Sequence, residues 1–318
     1  MIDRRKVVLV GTGMVGMSMA YSILNRGGIN ELVLIDIAKE KTEGEAMDLQ
    51  HGLPFSPGKI DIKAGDYPDC KDADIVVITA GVPQKPGETR LDLAKTNTKI
   101  IKDITLSVVN SGFKGIFIIA SNPVDLMSYV VHKVSGFPKE KVIGSGTLLD
   151  TARLRYIIGD KIGVSSKNIH AYIMGEHGDS SFVPWSHCYV GGKSLMEIYE
   201  ETGRDKAELE KIHEEVVNAA YEIINKKRAT YYGIGISLRR LVSAILNNEN
   251  CILPVSTLQN GEYGQEGIFI GVPAIINGEG VKEILKLRLT EEEQAKFDNS
   301  VNTLKQMARD EIDKIINE

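Results

Sequence analysis

A doubly wound, parallel α/β sheet followed by an α+β half is the fold class this sequence predicts. Three observations carry the reading. Short β-branched runs alternate with helical stretches up to about residue 150, a glycine-rich turn opens the chain, and longer helices take over afterwards. The 318 residues exceed the roughly 250–300 at which one hydrophobic core stops growing, so two tightly joined domains are expected. The boundary is set at 146/147, with residues 1–146 including a loop over 81–91, and residues 147–318 forming the second domain.

The elements follow in order. Lys6–Val10, Glu31–Ile35, Lys59–Lys63, Asp74–Thr79, Ile116–Ala120 and a brief Lys141–Ile143 are the predicted strands of the first half. Runs such as Ile75-Val-Val-Ile78 are apolar on both faces, as a parallel sheet covered on both sides requires. Between them Met14–Arg26 and Leu91–Asn110 read as helices, and right-handed crossovers are implied. The second half is predicted to hold helices at Asp205–Lys227, Gly235–Asn247 and Thr290–Asn317, with strands at Ile169–Met174, Cys251–Leu258 and Ile268–Ile276. Its substrate-binding side should face the carboxyl edge of the parallel sheet.

Composition excludes several classes of function. With 42% apolar and 25% charged residues the chain is an ordinary globular one, neither disordered nor collagen-like. A net charge of −5, from 38 basic and 43 acidic residues, gives no general pull toward nucleic acid or anionic lipid. Cys70, Cys188 and Cys251 are far apart, so neither a disulfide framework nor a zinc ribbon is expected, and a cytoplasmic location fits. Arg4-Arg5-Lys6 before the uncharged run Val7 to Asn25 imitates a signal peptide, but glycines at 11, 13 and 16 interrupt it. No run approaches the ~20 apolar residues of a membrane span. The six histidines form no H-E-x-x-H, and no metal is expected.

Gly11-Thr-Gly13-Met-Val-Gly16 follows the first strand and opens the first helix. The first glycine permits the tight turn, the second lets backbone approach a pyrophosphate, and the third lets helix and strand pack closely. The helix N-terminus, through Met14 and Val15, then attracts the phosphate charge. Asp36 ends the next strand, twenty positions after Gly16, where a carboxylate accepts both ribose hydroxyls and repels a 2′-phosphate. A Rossmann domain binding NAD rather than NADP is the consequence. Gly191-Gly-Lys-Ser194 resembles the end of a phosphate loop, but His187 stands where its first glycine would be, so no kinase follows.

Four further clusters bear on chemistry. Gly175-Glu-His177-Gly-Asp179 sets an imidazole in a glycine-flanked loop at a strand end, where it can act as acid and base near neutrality or simply brace a turn. Asp150 and Arg153 share a helix face; an Asp can hold an imidazole and an Arg can grip a carboxylate, and the plain alternative is a surface ion pair worth ~0.3–0.5 kcal/mol. The Pro/Gly-rich stretch from Gln84 to Arg90 has the composition of a lid that excludes water and delivers a cation, or of an ordinary surface loop. Asn122, in Ser121-Asn-Pro-Val-Asp125 at a strand end, can reach the cofactor ribose or the surroundings of the histidine.

These motifs in this order (G-T-G-M-V-G, Q-K-P-G-E-T-R-L-D-L, S-N-P-V-D, G-S-G-T-L-L-D-T-A-R and G-E-H-G-D-S) resemble the NAD-dependent L-lactate/malate dehydrogenase family over nearly the whole chain, most closely its bacterial L-lactate members. The resemblance implies His177 as proton donor and acceptor, Asp150 as its partner and Arg153 as the carboxylate clamp. It also implies Arg90 as the lid arginine that polarises the carbonyl, Asn122 as an active-site hydrogen-bond partner, and Thr230 as part of the substrate pocket. Malate dehydrogenases of the family place an Arg where this chain has Gln84. An uncharged amide leaves the second carboxylate of oxaloacetate unpaired in a dry site, a discrimination of roughly a thousandfold, which favours pyruvate/L-lactate and a role in glycolysis and fermentation. Arg155 and His170 coincide with positions that bind fructose 1,6-bisphosphate in allosteric relatives, so an activated homotetramer is expected. The alternatives are malate dehydrogenase, discriminated by Gln84, and a noncatalytic NAD-binding sensor, which would be expected to lack part of the acid, base and arginine set.

Overall fold

The computed structural model describes residues 5–83, 90–307 and 312–317; Gln84 and the Arg90 side chain lie outside them. In chain order the first half runs β1 (Lys6–Val10), α1 (Met14–Arg26), β2 (Glu31–Ile35), α2 (Lys39–His51), β3 (Asp61–Ala64), β4 (Ile75–Ile78), α3 (Arg90–Asn110), β5 (Ile116–Ile119), α4 (Val124–Ser135) and β6 (Val142–Gly144). All six strands pair in parallel. Successive β1 residues alternate between two cores: Val8 and Val10 join α3 and α4 through Ile101 and Val130, while Val7 and Leu9 join α1 through Met19 and Ile23. A strand apolar on both faces thereby holds a helix layer on each side, at ~1.5–3 kcal/mol per fully buried aliphatic side chain.

The second half contributes α5 (Leu148–Ile162), β7 (Ile169–His170), β8 (Tyr189–Val190), β9 (Lys193–Ser194), α6 (Leu195–Thr202), α7 (Ala207–Lys227), α8 (Tyr232–Leu246), β10 (Cys251–Asn260), β11 (Glu266–Asn277), β12 (Gly280–Ile284), α9 (Glu291–Met307) and α10 (Asp313–Asn317). β10, β11 and β12 do not form a sheet of their own. They extend the first one antiparallel, in the order β12-β11-β10-β6-β5-β4-β1-β2-β3, through the pair Ser256↔Gly144. A third core, with Leu154, Ile158, Leu195, Tyr199 and Ile212, joins α5, α6 and α7 beside the small sheet β7-β8-β9.

Three expectations change. The predicted strand Ile169–Met174 forms a ladder only over Ile169–His170, and Met174 makes an isolated antiparallel bridge to Phe182. Between them, hydroxyls of α5 and its cap take the backbone groups: Thr147 Oγ1 donates to the Ile173 carbonyl at 2.6 Å and Thr151 Oγ1 accepts from Ile173 N at 2.9 Å. The predicted helix Thr290–Asn317 is described as α9 and α10, with residues 308–311 outside the description. Helix α8 starts three residues before Gly235, because the Tyr231 carbonyl already accepts Gly235 N at 2.9 Å. The phosphate-loop look-alike Gly191-Gly192, with φ of 57° and 93°, is the two-residue turn between β8 and β9. Among the described residues no helix is long and apolar enough to cross a membrane.

Candidate active site

The glycine turn has the shape a dinucleotide needs. Gly11 has φ 106°, and a Cβ there would lie 2.5 Å from Ala80 N; one on Gly16 would lie 2.2 Å from the Gly11 carbonyl. Both are required by close packing of strand and helix. Gly13 differs, because a Cβ there would meet nothing within 4 Å, so its backbone faces open space. No side chain caps α1 and no acidic residue occupies its first turn, which leaves the N–H groups around Met14, Val15 and Gly16 to an anion. A cleft of about 890 Å³ opens at this point, lined among others by Thr12, Gly13, Met14, Lys41 and Tyr232.

Asp36 stands beside the cleft with its carboxylate already oriented. Oδ2 accepts from Thr12 N at 2.7 Å and Thr12 Oγ1 at 3.2 Å, and Oδ1 accepts from Ala38 N at 3.0 Å. Burial opposes its charge, but these donors and the nearby Lys41 outweigh that and hold its pKa below the ordinary carboxylate value. Of the carboxylate's roughly four acceptor sites these three donors occupy all but one, which is left on Oδ1 for a ribose hydroxyl. An open glycine, an uncapped helix start and a fixed carboxylate fit NAD.

The polar cluster of the second half centres on Asp150, in the first turn of α5. Its Oδ2 lies 2.6 Å from His177 Nδ1 and its Oδ1 accepts from Arg153 Nη1 at 2.8 Å, so one carboxylate joins the imidazole and the guanidinium. Among the described residues no protein acceptor takes the other Arg153 N–H groups. Burial works against charge on His177, but the charge and hydrogen bond of Asp150 prevail and raise its pKa to about 8. Asp150 is likewise driven up by burial and pulled down further by His177 and Arg153, ending below its ordinary value. With Nδ1 committed to Asp150, Nε2 is the ring atom left for proton exchange.

Asn122 is exposed at the end of β5, its carbonyl accepting from Asn97 Nδ2 at 2.7 Å, and the Asn122–Pro123 peptide is cis. Thr230 is half-buried just before α8, three residues from Gly233, which packs against the Leu149 side chain next to Asp150. Arg155 and His170 fall on α5 and β7. Arg155 is partly buried, donating Nε to the Ala171 carbonyl at 3.0 Å and lying 5.4 Å from the Tyr172 ring centroid, while His170 is exposed. Sequence reading missed the groups that hold the histidine loop. Asp125 Oδ2 accepts from His177 N at 2.8 Å, Glu176 Oε2 from Ser180 Oγ at 2.5 Å, and Ser300 Oγ from Glu176 N at 2.7 Å. Asp125 and Ser300 lie 52 and 124 residues from their partners, which leaves no local signal.

A parallel sheet with a dinucleotide cleft at its carboxyl edge, joined to an imidazole, a carboxylate and a guanidinium bound as one unit, defines a class: the nucleotide-dependent oxidoreductases of small hydroxy acids. Comparison with known proteins narrows it. Residues 5–144 match the lactate/malate dehydrogenase NAD binding domain, and residues 147–315 match the lactate/malate dehydrogenase alpha/beta C-terminal domain. The chain belongs to the lactate/malate dehydrogenase family, and NAD is its cofactor.

Its relatives include L-lactate dehydrogenase 2 of Bacillus anthracis, 57% identical over 302 residues that cover 95% of this chain and 96% of that one. L-lactate dehydrogenase 1 of the same organism is 55% identical over the same shares. Among solved structures, a lactate dehydrogenase from a Medee basin deep-sea metagenome library superposes with a TM-score of 0.94 at 53% identity, covering 99% of both chains. The minor L-lactate dehydrogenase of Enterococcus mundtii, in its ligands-bound form, gives 0.94 at 51% identity and 98% of both chains.

Proposed function

We propose that the protein is an L-lactate dehydrogenase, converting pyruvate, NADH and a proton into L-lactate and NAD+ and running the reverse. The observation that carries the reading is the bridge from His177 through Asp150 to Arg153, at 2.6 and 2.8 Å, beside a dinucleotide domain. Gly11, Gly13, Met14, Val15, Gly16, Asp36 and Asn122 would hold the cofactor, and residues 1–146 and 147–318 would be the cofactor and substrate domains. Bound NADH supplies the hydride that the keto carbon accepts.

Every other task falls to the chain. Arg153 receives the substrate carboxylate in two parallel hydrogen bonds while Asp150 keeps its Nη1 in place. His177 gives its Nε2 proton to the carbonyl oxygen as the C–O π pair moves onto it, and Asp150 stabilises the charged ring before transfer. Arg90 would polarise the carbonyl and Thr230 would line the pocket. In lactate oxidation His177 takes the hydroxyl proton back.

The test follows NADH absorbance with pyruvate or oxaloacetate. Pyruvate is expected to be much the better substrate, and Gln84→Arg is expected to move kcat/KM toward oxaloacetate by two to three orders of magnitude, about 3–4 kcal/mol. An unchanged ratio would refute the role of Gln84, and a wild-type preference for oxaloacetate would make the protein a malate dehydrogenase.

The same assay tests regulation. Arg155 of α5 is anchored through Ala171 and Tyr172, the two residues that follow His170 of β7, which supports the reading. In a homotetramer that pairs these residues between subunits, fructose 1,6-bisphosphate would find cations from two chains and activate the enzyme in a cytoplasmic, fermentative setting. The expected result is a lower half-saturating pyruvate concentration with the bisphosphate, lost in Arg155→Gln; saturation unaffected by it would sink the idea.

A further inference from the structure

We infer that Asp125 is a positioning residue for this reaction, holding the backbone of His177 and adding a second fixed negative charge beside its imidazole. The carboxyl sits in the first turn of α4 and is 2% exposed. Oδ2 accepts from His177 N at 2.8 Å and Oδ1 from Ser256 Oγ, on β10, at 2.5 Å. One buried group therefore ties α4 of the first half, β10 of the second and the histidine loop together. It does so at the place where the two halves share a sheet.

Two donors alone would not call for a carboxylate. An amide of the same shape accepts from the backbone N–H and offers its own N–H to Ser256, at a much smaller desolvation cost. A buried charge is explained by the charge it faces. The ionisable groups around Asp125 are His177 and Glu176 of the loop; those around His177 are Asp150 and Arg153 of α5 and Asp125 of α4, and β10 adds the Ser256 hydroxyl. Burial pushes the Asp125 carboxyl up to about 6, with Ser256 and His177 limiting the rise, so the group is charged over the range in which His177 titrates. Asp125 in turn adds to the larger effect of Asp150 in raising His177.

The inference rests on His177 being the proton carrier, and the test separates the two claims. The rate of pyruvate reduction, as kcat/KM against pH, falls where His177 loses its proton. Asp125→Asn keeps both hydrogen-bond partners and removes the charge, so the alkaline limb is expected to move down by about one pH unit. One unit above the wild-type midpoint the variant would then retain roughly a tenth of wild-type kcat/KM. Ser256→Ala perturbs the same packing but keeps the carboxylate, weakening its ionisation only through one lost hydrogen bond, so its limb is expected to move much less than in Asp125→Asn. Should the Asn variant not fold, Asp125→Ser keeps an acceptor in a smaller volume and is expected to shift the limb in the same direction. An unmoved limb in the neutral variant, or an equal shift in Ser256→Ala, would overturn the inference while leaving His177 as the proton carrier. A wild-type enzyme without pyruvate activity would instead overturn the functional reading beneath it.

Discussion

His177→Asn is expected to lower kcat for pyruvate reduction about a thousandfold, the size of a positioned general acid, while NADH still binds. Stopped-flow absorbance and a fluorescence titration measure the two effects separately. The sign of the pH dependence follows from the protonation state each direction uses. With a pKa of about 8, the ring carries its proton below that pH, so pyruvate reduction is level there and falls as pH rises through it. Lactate oxidation needs the neutral ring and rises through the same pH. Both breaks should vanish in the Asn variant; a surviving break would mean that another group supplies the proton.

Arg153→Lys is expected to cost thirty- to several-thousandfold in kcat/KM for pyruvate, about 2–5 kcal/mol, chiefly through KM. Charge is retained by this change, so the loss measures the planar fork rather than the cation. The bond to Asp150 Oδ1 at 2.8 Å sharpens the expectation, since the guanidinium can hold Asp150 and a substrate carboxylate through different nitrogens in one plane. An ammonium has no such plane. A KM within a few-fold of wild type would place the carboxylate elsewhere.

The parallel half of the fold was legible because local and tertiary signals agree there. Lys6–Val10, Met14–Arg26 and Glu31–Ile35 are found with the predicted bounds, each an apolar run bounded by glycine or a charged residue. Where a second sheet face or a partner strand is replaced by side chains, as at Ile173 between Thr147 and Thr151, periodicity reports a strand that pairing does not complete. Helix α2 escaped notice because it buries only Thr42, Ala46 and Leu49 and is charged elsewhere. Of the polar cluster, Asp150 and Arg153 were visible through their three-residue spacing, and His177 through its loop. Asp125, Ser256 and Ser300 were not, since each acts across more than 50 residues, through Asp125 to His177 at a separation of 52, Ser256 to Asp125 at 131 and Ser300 to Glu176 at 124.

The single sheet running from β3 to β12 has a consequence for how the molecule comes apart. Cutting the chain between its halves would expose two raw strand edges, one on β6 and one on β10, each a template for aggregation. The halves are thus not separate modules of folding. Heat or denaturant should dismantle them in one cooperative transition, and neither would survive transplantation into another scaffold without the other's strand beside it.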